Sequence, residues 1–377
     1  MSSSSAVGRN NMASPWRHVD LSLAGSILLL ASFGLLMIYS ATRSRLEEAG
    51  IDPQYYLQRQ AMFVAIGLVV LVITSVIDYR AFRDFAPVIY TGTVGLLMLV
   101  LLFGAENKGQ QASFEFGAFQ LQPSEFAKVS LIICLAAYAS SIRGEIDGRR
   151  LLVILGLAGV PMGLIYLQPD LGTSLVFGAI LLGMLLVSGV KARHLVALLV
   201  IAVIGVVAVV NLGVLKEYQY DRLTSFLEPE ADTDRSAYNL AQSKTAIGSG
   251  GIAGKGLFQG TQTNLSYVPE QHTDFIFTAV GEQLGLVGSA LLLTLFAIVA
   301  WRTWRSAALA KDAAGTLICV GVLAMLTFQI FENVGMTMGI MPITGIPLPF
   351  LSYGGSSTLA TFAAMGLVLN VHMRRFT

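Results

Sequence analysis

The chain has 377 residues, 54% of them hydrophobic and only 12% charged, a balance that excludes an average soluble domain and indicates a polytopic membrane protein. Its formal net charge of +1 argues against nucleic acid as a partner, because a binder of phosphodiester backbones carries a concentrated basic excess. Cys134 and Cys319 lie inside apolar runs and the four histidines, His18, His194, His272 and His372, are scattered, so neither a disulfide framework nor a metal-ligand spacing is suggested.

Residues 1–20 are polar and Ser-rich and lack a small-residue cleavage pattern; they are expected to form a cytoplasmic tail rather than a signal peptide. A bilayer core of roughly 30 Å needs about 20 apolar residues of helix, and that template predicts an all-α bundle of ten transmembrane helices over 21–377. The spans are Leu21 to Tyr39, Met62 to Ile77, Phe85 to Phe103, Phe126 to Tyr138, Leu151 to Leu167, Leu171 to Val190, Leu195 to Val214, Phe275 to Trp301, Thr316 to Phe331 and Ser356 to Val371. Fourteen of the 24 lysines and arginines fall in the two terminal segments and the short even-numbered connections, so the positive-inside rule places both termini in the cytoplasm. A long loop between helices 7 and 8, about 215–273, then faces outward. Within it, Ser236 to Ile247 predicts a short helix lying on the outer surface, and the glycines from Gly248 to Gly260 predict a tightly turned backbone after it. Gly335 to Gly355 carries Pro342, Pro347 and Pro349; such a chain is no lipid-facing helix and is expected to dip in where protein covers it or where it lines a wet cavity.

Candidate chemistry gathers on the outward side. Asp274 opens the eighth span, where it is either an N-cap or, beside His272 and Glu270, a general base at the depth of a lipid-anchored substrate's hydroxyl. Glu282 lies on nearly the same helix face, about 12 Å deeper, and an acid there must face the bundle or water. Glu125 and Lys128 open the fourth span at i, i+3, either as a mutual ion pair or with the lysine facing a cavity that takes pyrophosphate. Asp170 fits a plain helix cap, and Glu332 with Asn333 is a polar pair at a helix end. Arg222, Lys244 and Lys255 in the long loop are solvated charges or phosphate partners.

The motifs carry a family likeness. Phe119 to Lys128, Gln168 to Thr173, Gln242 to Gly251, Gly254-Lys255-Gly256, Pro269 to Phe277, Asn333 to Pro342 and Gly345 to Ser357 together resemble the SEDS family (shape, elongation, division and sporulation). Gln242-Ser243-Lys244, Gly260-Thr261-Gln262 and Gly345 to Pro349 resemble its elongation-type members more than its division-type ones. One departure is that Gln111 to Phe116 has neither residue of the Arg-Trp pair common in the family. The resemblance implies a peptidoglycan glycosyltransferase that polymerises lipid II on the outer face of the cytoplasmic membrane, with Asp274 as catalytic base. It matches Glu125 and Lys128 to positions in the family's central cavity and implies a class B penicillin-binding protein, a transpeptidase, as partner; Arg222, Lys244, His272, Glu282, Ser356 and Ser357 are the further candidates for substrate contact. No cofactor is implied with certainty; a divalent cation shared between one carboxylate and substrate phosphates stays open, and no metal-binding residues are assigned. The competing readings are a lipid II flippase, a division-type polymerase and a non-catalytic scaffold. A flippase needs polar groups across the whole bilayer, whereas here they cluster toward one face.

Overall fold

The computed structural model describes residues 18–107, 110–116, 119–142, 144–211 and 235–376. Ten long helices occupy the ten expected positions in order: α1 Leu21–Glu48, α2 Tyr55–Val76, α4 Ala86–Phe103, α5 Pro123–Ser141, α6 Gly148–Leu167, α7 Leu171–Val187, α8 Ala192–Asn211, α11 Ile276–Ala308, α12 Ala313–Met338 and α13 Gly355–Met373. Among the described residues three shorter helices join them, α3 Tyr79–Asp84, α9 Arg235–Gly250 and α10 Thr261–Asn264. Seven of the long helices are long and apolar enough to cross a membrane, and α7 is a shorter apolar helix. Outward-facing Leu29, Val69, Ile73, Val88, Leu102, Leu152, Leu186, Leu286 and Leu291 are all exposed, an apolar coat that only a bilayer would cover. This is a multi-pass membrane protein.

Helix starts follow the sequence chemistry. Asp20, Asp147, Asp170 and Asp312 each accept a hydrogen bond from a first-turn amide, satisfying donors that no helix can satisfy itself. Asp20 also meets Arg302 at 2.6 Å, joining the start of α1 to the far end of α11. α13 is buried almost throughout and α12 mostly so, and both lie in the core with α5. α2 packs most extensively against α13. The approach is close because small residues permit it: a Cβ on Gly67 would reach the Phe362 ring at 2.7 Å, and one on Gly366 would reach the Leu71 carbonyl oxygen at 2.6 Å.

Three parts of the pocket end depart from expectation. Ala105–Asn107, Gln110–Phe116 and Phe119–Leu121 form an antiparallel three-stranded sheet, β1-β2-β3, with Glu115 opposite Gln120. No strand was expected in this short polar connection. The expected short helix is α9, and it does more than lie on a surface, because one of its faces packs into the bundle while the other stays exposed. Ala237, Leu240, Ser243 and Ala246, spaced at three residues, are buried against α11 and α12, and the Ser243 hydroxyl donates to the Thr337 carbonyl at 2.6 Å. One helical face of small residues lets this polar helix enter the bundle.

The third departure is inside α11. Its backbone leaves helical geometry at Gly285 (φ 63°, ψ −159°), and the glycine loop after α9 fills the break. Lys255 and Gly256 amides donate to the Glu282 and Gln283 carbonyls at 3.1 and 3.0 Å, while Leu286 and Val287 amides donate to Gly251 and Ile252 at 2.9 and 3.1 Å. Within a membrane protein each freed backbone group must find a partner in the protein, and this loop supplies four. The expected tight turning is realised with Gly251, Gly254 and Gly256 at positive φ. The Pro-containing segment between α12 and α13 dips in as expected: Ile346, Leu348, Phe350 and Leu351 are buried, and Gly34 of α1 leaves room for the Phe350 carbonyl.

Candidate active site

Two cavities open at the end of the bundle where α9, the sheet and the Pro-containing segment meet. The larger, about 580 Å³, is walled by Tyr56, Arg59 and Phe63 of α2, by Ser113, Glu115 and Gln120 of the sheet, by Glu270 and His272 to Asp274, and by Tyr353 to Ser357. The smaller, about 230 Å³, is walled by Glu125 and Lys128 of α5, Asp170 and Thr173 at the start of α7, and Thr344 to Pro347. Gln122, Asp274, Gly345 and Pro347 line both. Asp274 is therefore the carboxylate where the two cavities adjoin.

Asp274 reaches that place without capping α11. The N-cap position belongs to Phe275, and no side chain bonds there. A turn over 270–275 instead folds the Thr273, Asp274 and Phe275 amides onto the Glu270 carbonyl, with Glu270 itself at φ 53°. Three carbonyls of the turn are gripped from outside it. His272 accepts from the Tyr353 amide at 2.9 Å, Thr273 from the Ser352 hydroxyl, and Asp274 from the Asn333 side-chain amide at 2.7 Å. The same Asn333 nitrogen donates to the Ile346 carbonyl at 2.8 Å. One buried amide thus joins the turn that carries Asp274 to the segment facing it. Gly345 completes the contact, since a Cβ there would lie 3.3 Å from Asp274 Oδ2.

Other expected residues divide. His272 lines the larger cavity, its ring 4.7 Å from that of Tyr56 and 5.7 Å from that of Tyr353. Ser356 and Ser357 line it too, but the Ser356 hydroxyl is committed: it donates to the Gln120 carbonyl at 2.8 Å and accepts from the Gln122 amide at 3.0 Å, fastening the sheet to α13. Glu125 and Lys128 both face the smaller cavity as a buried ion pair of 2.8 Å. Asp170 is the expected cap, accepting from the Thr173 amide at 3.0 Å and hydroxyl at 2.7 Å, and it lines the same cavity. Among the described residues no cluster of three or more His, Cys, Asp or Glu is arranged to hold a metal ion.

Two expectations are corrected and one lies elsewhere. Glu282 lines neither cavity. Its buried carboxylate takes Lys255 Nζ at 2.8 Å, the Gln262 and Thr263 amides at 2.8 and 2.9 Å and the Thr263 hydroxyl at 2.8 Å, so it anchors the glycine loop to α11 and has no oxygen left for substrate. Lys244 is exposed on α9, with its chain end against Gly339, outside both cavities, because the buried face of α9 is the one bearing Ser243. Arg222 lies outside the described residues. Sequence reasoning missed Tyr56, Arg59 and Phe63, whose i, i+3, i+7 spacing puts them on one face of α2. It also read Asn333 as a helix-end residue, whereas α12 runs on to Met338 and buries it.

The FTSW_RODA_SPOVE family of cell cycle proteins matches residues 21–376. The chain belongs to this family. Stage V sporulation protein E of Bacillus subtilis (strain 168) is 37% identical over 356 residues, covering 93% of this chain and 96% of that protein. Peptidoglycan glycosyltransferase MrdB of Escherichia coli (strain K12) is 35% identical over 358 residues, covering 95% and 94%. Among solved structures, Thermus thermophilus rod shape determining protein RodA superimposes with a TM-score of 0.71 at 29% identity, covering 97% of this chain and 100% of that one. A chain of a peptidoglycan synthase complex, described as coordinating polymerization and crosslinking, reaches a TM-score of 0.81 at 32% identity, covering 95% and 98%. The FtsW/RodA/SpoVE fold therefore extends over nearly the whole chain, including both cavities.

Proposed function

We propose that this chain is a peptidoglycan glycosyltransferase that polymerises lipid II, with Asp274 as its general base. The observation that carries the reading is the placement of Asp274: a partly buried carboxylate that lines both cavities, on a backbone held by neighbouring segments. The family relatives named as peptidoglycan glycosyltransferases support the reaction class. Asp274 accepts the proton of the acceptor sugar's 4-hydroxyl as that oxygen attacks the anomeric carbon of the donor. The bond from that carbon to the polyprenyl diphosphate breaks, the diphosphate leaves with the electron pair, and the centre inverts. A fixed carboxylate gains by orientation, because a misplaced base loses much of its effect.

The working face is the outer one and both termini are cytoplasmic, a reading supported by Arg80, Arg83, Arg149, Arg150, Lys191, Arg193, Arg374 and Arg375 at the end of the bundle opposite the cavities. The partner is a class B transpeptidase, as the likeness to a synthase complex suggests. The role is elongation, supported by the RodA likeness and the MrdB match, although the sporulation protein matches equally well.

The test is lipid II polymerisation by purified protein, with an elongation-type or a division-type transpeptidase added, comparing wild type with Asp274→Asn and following glycan chains on a gel. Wild type should polymerise with the elongation-type partner, and a folded, partner-bound Asp274→Asn should lose activity by roughly a hundredfold or more. Undiminished polymer from Asp274→Asn sinks the base assignment. Stimulation by the division-type partner alone moves the role to division.

A further inference from the structure

The larger cavity is acidic. Glu115, Glu270 and Asp274 line it, and among the described residues its walls hold one Lys or Arg side chain, Arg59. Two nearby lysines are engaged with carboxylates, Lys128 with Glu125 and Lys255 with Glu282, each at 2.8 Å. Arg59 differs from both. Among the described residues it forms no ion pair with a carboxylate, and its guanidinium lies over the Tyr55 ring, 4.1 Å from the centroid. Its charge also bears on the Tyr353 hydroxyl, where it opposes the upward push that burial gives the phenol. A ring contact and one bond to a phenol hold a guanidinium in place while leaving most of its five N–H donors available.

The start of α13 adjoins it on the same cavity. Gly354 takes the N-cap position with no side chain to accept from the first amides, and Gly354 to Ser357 all line the cavity. Gln60, the neighbour of Arg59 on α2, accepts from the Gly354 amide at 3.2 Å and donates to the Thr358 hydroxyl at 2.9 Å. The fork of Arg59 and the uncapped helix start are therefore held at a fixed spacing by one buried glutamine. A guanidinium fork matches phosphate and carboxylate oxygens two at a time, and a helix N-terminus favours the same charge.

We propose that Arg59, backed by the start of α13, is the anion-recognition site of the larger cavity and takes a diphosphate or carboxylate group of the substrate. This rests on the glycosyltransferase reading for its substrate: a lipid-linked donor carries the diphosphate and a peptide stem the carboxylate. Among the described residues that line the cavity the other charged side chains are acids, so the anionic part of the substrate is drawn to the α2 and α13 wall. Its hydroxyl-bearing part is then left toward Asp274.

The experiment is equilibrium binding of two probes, farnesyl diphosphate and muramyl dipeptide, to the full-length protein in detergent, for wild type, Arg59→Gln and Arg59→Lys, with melting curves as the folding control. Wild type should bind one probe, and Arg59→Gln should weaken that binding roughly tenfold or more. Arg59→Lys keeps the charge without the fork and should fall between them; it carries the test if the glutamine variant does not fold. A loss confined to farnesyl diphosphate assigns the diphosphate, and one confined to muramyl dipeptide assigns the carboxylate. No binding of either probe, or equal binding by wild type and both variants, overturns the site. A parallel polymerisation assay separates the two proposals. Arg59-dependent binding by a chain that makes no polymer leaves the site and sinks the enzyme, whereas polymer made with unchanged KM by Arg59→Gln leaves the enzyme and sinks the site.

Discussion

A carboxylate that works as a base must be positioned by its backbone, because every hydrogen bond given to its oxygens weakens it as an acceptor. The backbone of Asp274 is gripped from two sides, and Asn333 of α12 reaches both the Asp274 and the Ile346 carbonyls with one amide nitrogen. Asn333→Ala removes both bonds and leaves the buried Ile346 carbonyl without this donor, a cost of about 2–4 kcal/mol if each bond contributes its usual share. We expect a lower melting temperature and, in the folded fraction, kcat for lipid II polymerisation at least tenfold down with KM within about threefold, since substrate groups bind elsewhere. Asn333→Ala with wild-type kcat would show that Asp274 keeps its place without the clamp. Neither the clamp nor Arg59 could be read from the sequence, for different reasons. The span template ended the ninth helix at the first polar pair, although Glu332 and Asn333 are buried and partnered inside a longer helix. Arg59 was counted only as an outward charge, because the residues that make it a cavity wall, Tyr353 and the start of α13, are some 300 positions away in the chain.

At the scale of elements, the break in α11 and the glycine loop after α9 depend on each other. The sequence revealed the loop's turning through its glycines, but not its destination, since nothing local marks Gly285 as the residue that opens a helix to receive it. Gly254 sits at φ 81°, and a Cβ there would lie 2.2 Å from the Gln283 carbonyl oxygen, a backbone atom with no rotamer to yield. Gly254→Ala therefore meets both a left-handed backbone and a backbone collision, together about 3 kcal/mol or more. The expected result is a melting temperature lower by several degrees and loss of the loop's protection from protease. Because the loop also carries Lys255 to Glu282, losing it should expose a buried carboxylate and lower the yield of folded protein. A Gly254→Ala protein with unchanged melting would mean the loop is dispensable to α11. Gly248→Ala, with open space around its Cβ position, is the control and should be neutral.

For the whole molecule, the multi-pass helical architecture and the order of the long helices were legible because bilayer thickness fixes the length of every apolar run, whatever its neighbours. Strands of three to seven residues and a docked polar helix have no such external ruler, and only tertiary contacts created them. Orientation has a ruler of its own, the distribution of basic residues, and it yields a test independent of activity. Cys134 and Cys319 are both buried, so a new surface cysteine can be read against a low background. Ile51, between α1 and α2, is exposed at the cavity end, and Asp84, at the end of α3, is exposed at the opposite end. In spheroplasts, a membrane-impermeant maleimide should label Ile51→Cys at once and Asp84→Cys only after permeabilisation. The reverse pattern would put the cavities in the cytoplasm, where a polymerase of exported lipid-linked sugars has no substrate, and would remove the glycosyltransferase proposal together with the orientation. Labelling as expected leaves Asp274, Arg59 and the sheet facing the compartment in which glycan strands are built.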